Sequence, residues 1–461
     1  MKKFRLFPII IIICLVLSAG APTAYALEEP SVPAKAAVLV DLDTGHVLYE
    51  LNKDEQRSPA SLTKVMTVLL ALEAVERGET TLDTVITAQD DCRTGMAEDS
   101  STSGIQPGTA VSLRELLYCA MIQSANEACN IIGTHIAGSI SAWVERMNQR
   151  AEELGCANTH FVTTNGLSAE GHYSSAYDLY LITREALKFP LFLEMSTTLE
   201  YQPLFQGVNN GEVMYNSNAL MTDKSVYGAQ YVYEYAAGVK TGFTQAAGYC
   251  LISTAEKEGV HVLAVVLGCD GLLNAGIDEY KNFEASRNLY EWTFNNFSYQ
   301  TVVSTSQVLQ QVEVELAKDD MLASLRPQED LTVLLPNDVD MSAVQTDVTV
   351  FEDRLTAPLE AGVVLGEALV RVDGQEYGTV RLVNATAIEL ARGEYIRQRI
   401  SAVFHNGWVI AAIILVALFL LGYTILVMRY RRLRRKHLKA RRMAEKRRRE
   451  REMRREYGDW E

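Results

Sequence analysis

Residues 57–78 read RSPASLTKVMTVLLALEAVERG. After Lys64 the run is almost wholly apolar, with Pro59 ahead of it and Gly78 behind. That punctuation predicts a helix starting near Ala60 or Ser61 and ending with Gly78 at the C′ position. Its greasy face must be covered by the rest of a domain. Lys64 lies three residues after Ser61, so both side chains share one face, one turn apart.

The flanking sequence supplies the cover. AAVLVDLDTGHVLYELN (residues 36–52) holds two β-type runs around Asp43-Thr44-Gly45, a hairpin signal. VSLRELLYCAMIQSANEACNIIGTHIA (111–137) reads as helix, break, helix, and residues 140–155 and 174–187 are also helical. YCLISTAE and VHVLAVVLGC then form a second hairpin across Lys257-Glu258-Gly259, followed by a helix near 278–296. Strands open and close this stretch, with helices between. The expected fold is therefore α/β in the α+β sense, with an antiparallel sheet built from both ends and flanked by helices. From about Ser298 the chain turns Val-, Thr- and Leu-rich, with recurring turns and no long helical pattern, so 298–397 read as a small all-β domain.

With 461 residues, two or three domains are expected, and 48% apolar with 22% charged residues is ordinary for a globular chain. The N-terminus, MKKFRLFPIIIIICLVLSAGAPTAYA, has a basic start, an apolar run and an A-x-A site, so 1–26 read as a secretory signal; an uncleaved anchor is the alternative. Gly407–Met428 is an uncharged apolar stretch of 22 residues, long enough for a single transmembrane helix, reached through a linker at 398–406. Residues 429–461 follow with 16 Lys and Arg against 6 Asp and Glu. Such a flank stays cytoplasmic, which puts residues 27–406 outside a single-pass cell membrane protein. The tail suits anionic inner-leaflet lipid or is a solvated stop-transfer flank.

The whole chain carries −15, but residues 27–428 carry −28, which disfavours nucleic acid as a partner of the body. Beyond Cys14 in the signal, Cys92, Cys119, Cys129, Cys156, Cys250 and Cys269 form an even set that permits disulfides; four of them lie in apolar runs that suit buried thiols instead. No Cys/His spacing suggests a metal.

Three short motifs remain. Ser61-Leu62-Thr63-Lys64 is the one S-x-x-K in the chain. A partly desolvated lysine beside a serine can hold the neutral amine that takes its proton, though a capping serine with a snorkelling lysine has the same look. Ser124-Ala125-Asn126 falls at the break between two helices, where hydroxyl and amide suit a proton relay and a substrate carbonyl, or a simple capping turn. Lys240-Thr241-Gly242 precedes Phe243 and an apolar strand; it fits a cleft edge where glycine admits a substrate backbone, or an ordinary loop.

Together, S-x-x-K, S-x-N and K-T-G in this order resemble the penicillin-recognising serine acyl-enzymes. Ser124 lies 63 positions after Ser61, and Lys240 lies 116 after Ser124. IQPGTAVSLRELLYCAMIQSANEAC, NTHFVTTNGLSAEGHYSSAYDLYLI and GVKTGFTQAAGYCLISTA narrow the resemblance to the low-molecular-mass penicillin-binding proteins, the serine-type D-alanyl-D-alanine carboxypeptidases. It covers about residues 33–300, and LTAPLEAGVVLGEALV is similar to that family's C-terminal β domain. The resemblance implies a β-lactamase/transpeptidase-like domain over 27–297. It implies Ser61 as nucleophile, Lys64 as base and Ser124 as proton relay. Asn126, Lys240, Thr241, Gly242 and Phe243 would bind substrate, with the backbone N–H groups of Ser61 and Phe243 forming an oxyanion hole. The substrate would be the peptidoglycan pentapeptide, β-lactams would inhibit, and no cofactor or metal would be needed. His160, His172 and Asp178 lie in shared segments and read as structural. The Tyr-rich YGAQYVYEY lines the cleft or packs.

A β-lactamase of the S-D-N type would add an E-x-x-L-N glutamate. The nearest look-alike, Asp270-Gly271-Leu272-Leu273-Asn274, carries Asp and falls after K-T-G. A non-catalytic membrane sensor of β-lactams is the rival from another class.

Overall fold

The computed structural model describes residues 27–274, 277–456 and 458. The signal reading of 1–26, with Cys14, lies outside the described residues. The chain divides into two compact units. The first runs to Val302 and takes in Leu331–Gln345 and Arg371–Gly378; the second comprises Val303–Asp330, Thr346–Val370 and Thr379 onward.

The first unit is organised by a five-stranded sheet. Its strands are β1 (Ala36–Asp41), β2 (Val47–Leu51), β3 (Ala236–Thr244), β4 (Gly248–Lys257) and β5 (Val260–Cys269). They lie in the order β2-β1-β5-β4-β3, and every pairing is antiparallel. Both expected hairpins form. In β1–β2 Gly45 takes φ +76°, and in β4–β5 Glu258 and Gly259 take φ +53° and +81°, the paired positive angles of a two-residue turn.

Both faces of the sheet are covered, which is why β1 and β5 read as continuous apolar runs. Val38, Val40, Leu263 and Val265 face one core, shared with the helices from the middle of the chain. Ala37, Leu39, Val262 and Ala264 face the other, with Phe283, Leu289 and Tyr290. The latter come from a single helix, Lys281–Asn296.

Six helices make the first layer: α1 (Lys64–Glu76), α2 (Leu113–Ile122), α3 (Asn126–Ala137), α4 (Ile140–Glu153), α5 (Ala176–Ala186) and α6 (Pro190–Thr197). In α1 every residue from Lys64 to Ala74 is buried, so the helix threads the middle of the layer. It ends as its sequence predicts, with Gly78 at φ +74° donating to the Val75 carbonyl. Its start differs: Ala60–Thr63 form a separate 3₁₀ turn, and the α-helix begins only at Lys64. Close packing fixes the helix α3–α4 contact. A Cβ on Gly133 would lie 2.8 Å from the ring of the fully buried Trp143.

The second unit is built on a six-stranded sheet. Its strand order is Val344–Val350, Val364–Val372, Gln375–Asn384, Leu322–Pro327, Gln310–Glu315, Leu355–Thr356. The segment expected to be a linker is helical: Arg392–His405 form α7, overrunning both the 397 boundary and most of 398–406. A helix of 50 residues, α8 (Gly407–Glu456), carries the apolar stretch and the basic tail as far as Glu456 without interruption. It is long and apolar enough to cross a membrane, and fits a membrane anchor. The six cysteines are all buried free thiols, which decides between the two readings of that set.

Candidate active site

The three motifs converge on one cavity of about 710 Å³, bordered by Ser61, Ser124, Asn126, Thr241, Gly242 and Phe243. Ser61 stands on the 3₁₀ turn where the chain enters α1. The turn is strained: Ala60 has φ +48°, a left-handed conformation that a residue with a Cβ rarely takes.

Lys64 is fully buried at the first position of α1. Its Nζ lies 2.8 Å from Ser61 Oγ, 2.8 Å from Asn126 Oδ1 and 2.7 Å from the Asn165 carbonyl. The last two can only accept, so they take two N–H bonds from the amine. In the neutral form that leaves one lone pair, and the remaining neighbour is the Ser61 hydroxyl. Burial pushes the Lys64 ammonium down from its ordinary range, partly offset by Cys129 and the carboxylate of Glu127. Lys240, also buried, is pushed down by burial and by repulsion from Lys64. Two cations in one dry pocket disfavour each other, so the pair sheds a proton more easily than either lysine in water.

Ser124 follows the last turn of α2 at φ +60°, with its residue nearly buried beside the cavity. The break is pinned by the Ala125 N–H donating to the Cys119 carbonyl. Asn126 opens α3, and both its backbone N–H and its Nδ2 donate to the Ser101 carbonyl at 3.0 and 3.1 Å. Its Oδ1 faces Lys64, so one Nδ2–H remains beyond these contacts. Next to it Glu127 Oε1 accepts from Thr102 Oγ1 and the Ser103 N–H, both at 2.7 Å, which ties a cavity-lining segment to α3.

Lys240, Thr241 and Gly242 lie on β3, the edge strand of the sheet. Lys240 Nζ donates to the Thr241 carbonyl at 3.1 Å, and Thr241 Oγ1 is 2.6 Å from Ser217 Oγ. A Cβ on Gly242 would meet Pro59 O and Ser61 N at 3.2 Å. The close approach that this glycine permits is therefore by the Ser61 turn itself, where the sequence suggested a substrate backbone. Phe243 is 45% exposed and stacks on Tyr249 with ring centroids 4.4 Å apart. Of the Tyr-rich stretch, Tyr227 reaches the cavity, while Tyr231 and Tyr233 rest on Phe283 and Tyr290.

His160, His172 and Asp178 do not form a catalytic pair. Asp178 Oδ2 accepts from the Asn158 N–H and Thr159 Oγ1, both at 2.7 Å, and His160 Nδ1 meets the Gly171 carbonyl. His172 is buried against Thr63. Residues without a motif also build the site. Asn165 and Gly166 form an Asn-Gly turn, the one local signal available, and Ser217 sits in a run of polar residues with no signal. The 164–165 segment is held from two helices: Thr67 Oγ1 donates to the Thr164 carbonyl, and Thr164 Oγ1 to Asn130 Oδ1, both at 2.6 Å. Among the described residues no group of three or more His, Cys, Asp or Glu is placed to hold a metal.

Known proteins resemble this chain along most of its length. The D-alanyl-D-alanine carboxypeptidase family model matches residues 23–271, and the model for the C-terminal domain of penicillin-binding protein 5 matches 297–390. The chain is 32% identical over 376 residues to the D-alanyl-D-alanine carboxypeptidase DacF of Bacillus subtilis (strain 168), covering 79% of this chain and 90% of that one. It is 32% identical over 365 residues to DacC of Escherichia coli (strain K12), covering 77% and 85%. Among solved structures, penicillin-binding protein 5 from Haemophilus influenzae superposes with a TM-score of 0.61 at 26% identity, over 79% of this chain and all of that one. Penicillin-binding protein 6B from Escherichia coli gives 0.59 at 26%, over 78% and 98%. A buried lysine on a serine, an S-x-N turn and a K-T-G edge strand around one cavity, together with these matches along most of the chain, make this protein a member of the D-alanyl-D-alanine carboxypeptidase family, the low-molecular-mass penicillin-binding proteins.

Proposed function

We propose that the chain removes the terminal D-alanine from peptidoglycan stem peptides through an acyl-enzyme on Ser61. The observation that carries this reading is the Lys64 amine, 2.8 Å from Ser61 Oγ with two carbonyl acceptors on its other side. Neutral Lys64 takes the Ser61 proton as Oγ attacks the carbonyl between the two D-alanines. The oxyanion is held by the backbone N–H groups of Ser61 and Phe243. Ser124 passes the proton to the leaving D-alanine nitrogen in the field of Lys240, and Thr241 binds the terminal carboxylate. Asn126 gives its remaining N–H to a substrate carbonyl. Water then cleaves the ester and restores the Ser61 hydroxyl. A β-lactam acylates the same serine, but its leaving group stays tethered.

We read 27–297 as the catalytic domain, 298–397 as the β domain and 407–428 as the span. In this reading the body is outside the cell membrane and the 429–461 tail is cytoplasmic; the excess of Lys and Arg on that side supports it.

The test uses full-length protein in detergent with a diacetyl-Lys-D-Ala-D-Ala tripeptide and a fluorescent penicillin. D-Alanine release and Ser61-dependent labelling are expected, and both vanish in Ser61→Ala. Penicillin labelling without D-alanine release points to a sensor. Rapid β-lactam turnover points to a β-lactamase.

A further inference from the structure

We propose that His172 is a positioning residue that holds the nucleophile turn and the base-orienting segment in register through a hydrogen-bonded chain to Thr63 and Ala60. This rests on Ser61 and Lys64 acting as nucleophile and base.

The chain has a fixed direction. The Val162 N–H lies 2.9 Å from His172 Nδ1, and the Thr163 N–H lies 3.3 Å from the same atom. Both are donors, so Nδ1 accepts and the ring proton belongs to Nε2. Nε2 is 2.9 Å from Thr63 Oγ1, which therefore accepts from it. The single Thr63 hydroxyl proton then goes to the Ala60 carbonyl, 2.9 Å away. Every donor meets an acceptor. The network is dry, with Thr63 fully buried and His172 5% exposed. A broken link there leaves an unpaired buried polar group.

The two ends of the chain are the two halves of the reactive pair. On the Thr63 side is the Ala60 carbonyl, whose residue is held at φ +48° one position before Ser61. On the Val162 side is the segment bearing Asn165, whose carbonyl receives Lys64 Nζ, and Gly166, which presses on the Ala60 carbonyl. One imidazole thus sets the spacing between the serine turn and the group that aims the lysine. Among the described residues no carboxylate is hydrogen-bonded to the ring. The Phe161 ring lies beside it, with ring centroids 5.8 Å apart.

The test separates the two links in the full-length protein. His172→Gln places an amide near the Nε2 position, can still donate to Thr63 and should acylate faster than His172→Asn. His172→Asn places its oxygen near Nδ1 and keeps only the Val162 link. Thr63→Val removes the hydroxyl, and Thr63→Ser restores it. The reading is the penicillin acylation rate constant, resolved from the binding constant by stopped flow. Thr63→Val and His172→Asn should lower the rate constant about 10- to 100-fold, the scale of an ångström-sized misplacement, with the binding constant within about threefold. Thr63→Ser should recover it, and the Thr63→Val/His172→Asn double variant should lose little more than either alone. Rates within threefold of wild type in both single variants, with labelling still dependent on Ser61, would overturn the proposal. Labelling that survives Ser61→Ala would overturn the underlying assignment instead. A second measurement needs no variant. Two-bond ¹H–¹⁵N spectra of ¹⁵N-histidine-labelled protein should show His172 protonated on Nε2, and a proton on Nδ1 refutes the chain.

Discussion

Gly166→Ala isolates the contact on which the Ser61 turn leans. Gly166 has φ +89°, and a Cβ there would fall 1.8 Å from the Ala60 carbonyl oxygen, 2.4 Å from its carbon and 2.9 Å from Thr63 Oγ1. Reaching even a 3.0 Å contact needs a shift of about 1.2 Å between two backbone segments, and neither end is a flexible side chain. The left-handed backbone costs roughly 1–2 kcal/mol with a Cβ. The overpacking adds about 1–3 kcal/mol. The same movement separates Asn165 and its bound Lys64 from Ser61, and an ångström there is worth about 10²-fold in rate. Gly78→Ala is the control, because Gly78 has φ +74° with nothing within 4 Å of the new Cβ. It should carry the backbone cost alone. The assay is the second-order rate of fluorescent-penicillin acylation of full-length protein, alongside a thermal melt of each variant. Both variants should melt lower, and only Gly166→Ala should lose acylation, by about 10²-fold. A folded Gly166→Ala protein that acylates within threefold of wild type refutes the view that this contact sets the catalytic geometry.

Four further outcomes follow from the site and its supports. Ser124→Ala should slow D-alanine release by about 10²-fold or more if the hydroxyl relays the proton, with a melt close to wild type because alanine at φ +60° is no more strained than serine; an unchanged turnover number assigns the relay elsewhere. Acylation should fall as pH falls, because protonating Lys64 removes the base. Burial holds the folded pKa of Lys64 below the 10.5 of an unfolded lysine, so between those two values the unfolded state binds more protons. Stability contributed by this group should therefore rise with pH across that window, and Lys64→Met should flatten the slope; an unaltered slope in denaturation midpoints counts against a buried, proton-shedding lysine. Gly133→Ala puts a Cβ 2.8 Å from the Trp143 ring and should destabilise by about 1–3 kcal/mol while leaving the acylation rate of the folded protein intact.

Much of this is legible in the sequence. Alternation and turn chemistry located both hairpins, because Asp43-Thr44-Gly45 and Lys257-Glu258-Gly259 need backbone angles that only a few residue types favour. The apolar density of 65–75 marked a central helix, and spacing placed Lys64 over Ser61. The 3₁₀ turn at 60–63 was not legible. It is imposed by tertiary contacts, with Gly242 on one side and Gly166 on the other, and nothing local asks Ala60 for a positive φ. Asn165 was hidden for a different reason: it acts through its carbonyl, which every residue has. Thr63 read as the filler of S-x-x-K, and His172 as a fold residue. A polar chain that crosses 109 positions leaves no periodic trace. At the C-terminus, the sequence reading took 398–406 as a linker although Ile396, Ile400 and Phe404 recur at the helical spacing of α7; in the structure these side chains are over half exposed.

The order of the sheet has a consequence for when the enzyme comes into being. β1 lies between β2 and β5, so Val38 pairs with Val265, a partner 227 residues later. β3, which carries Lys240 and Thr241, joins the sheet only through β4. Until β5 exists, nothing links the first hairpin to that strand within the sheet. At about 5–20 residues per second, a ribosome spends roughly 10–50 s making the chain between those two partners. Such long-range closure also belongs to the slow class of folding events. The serine is therefore synthesised early and armed late: it gains the K-T-G edge only when the last central strand has emerged and docked.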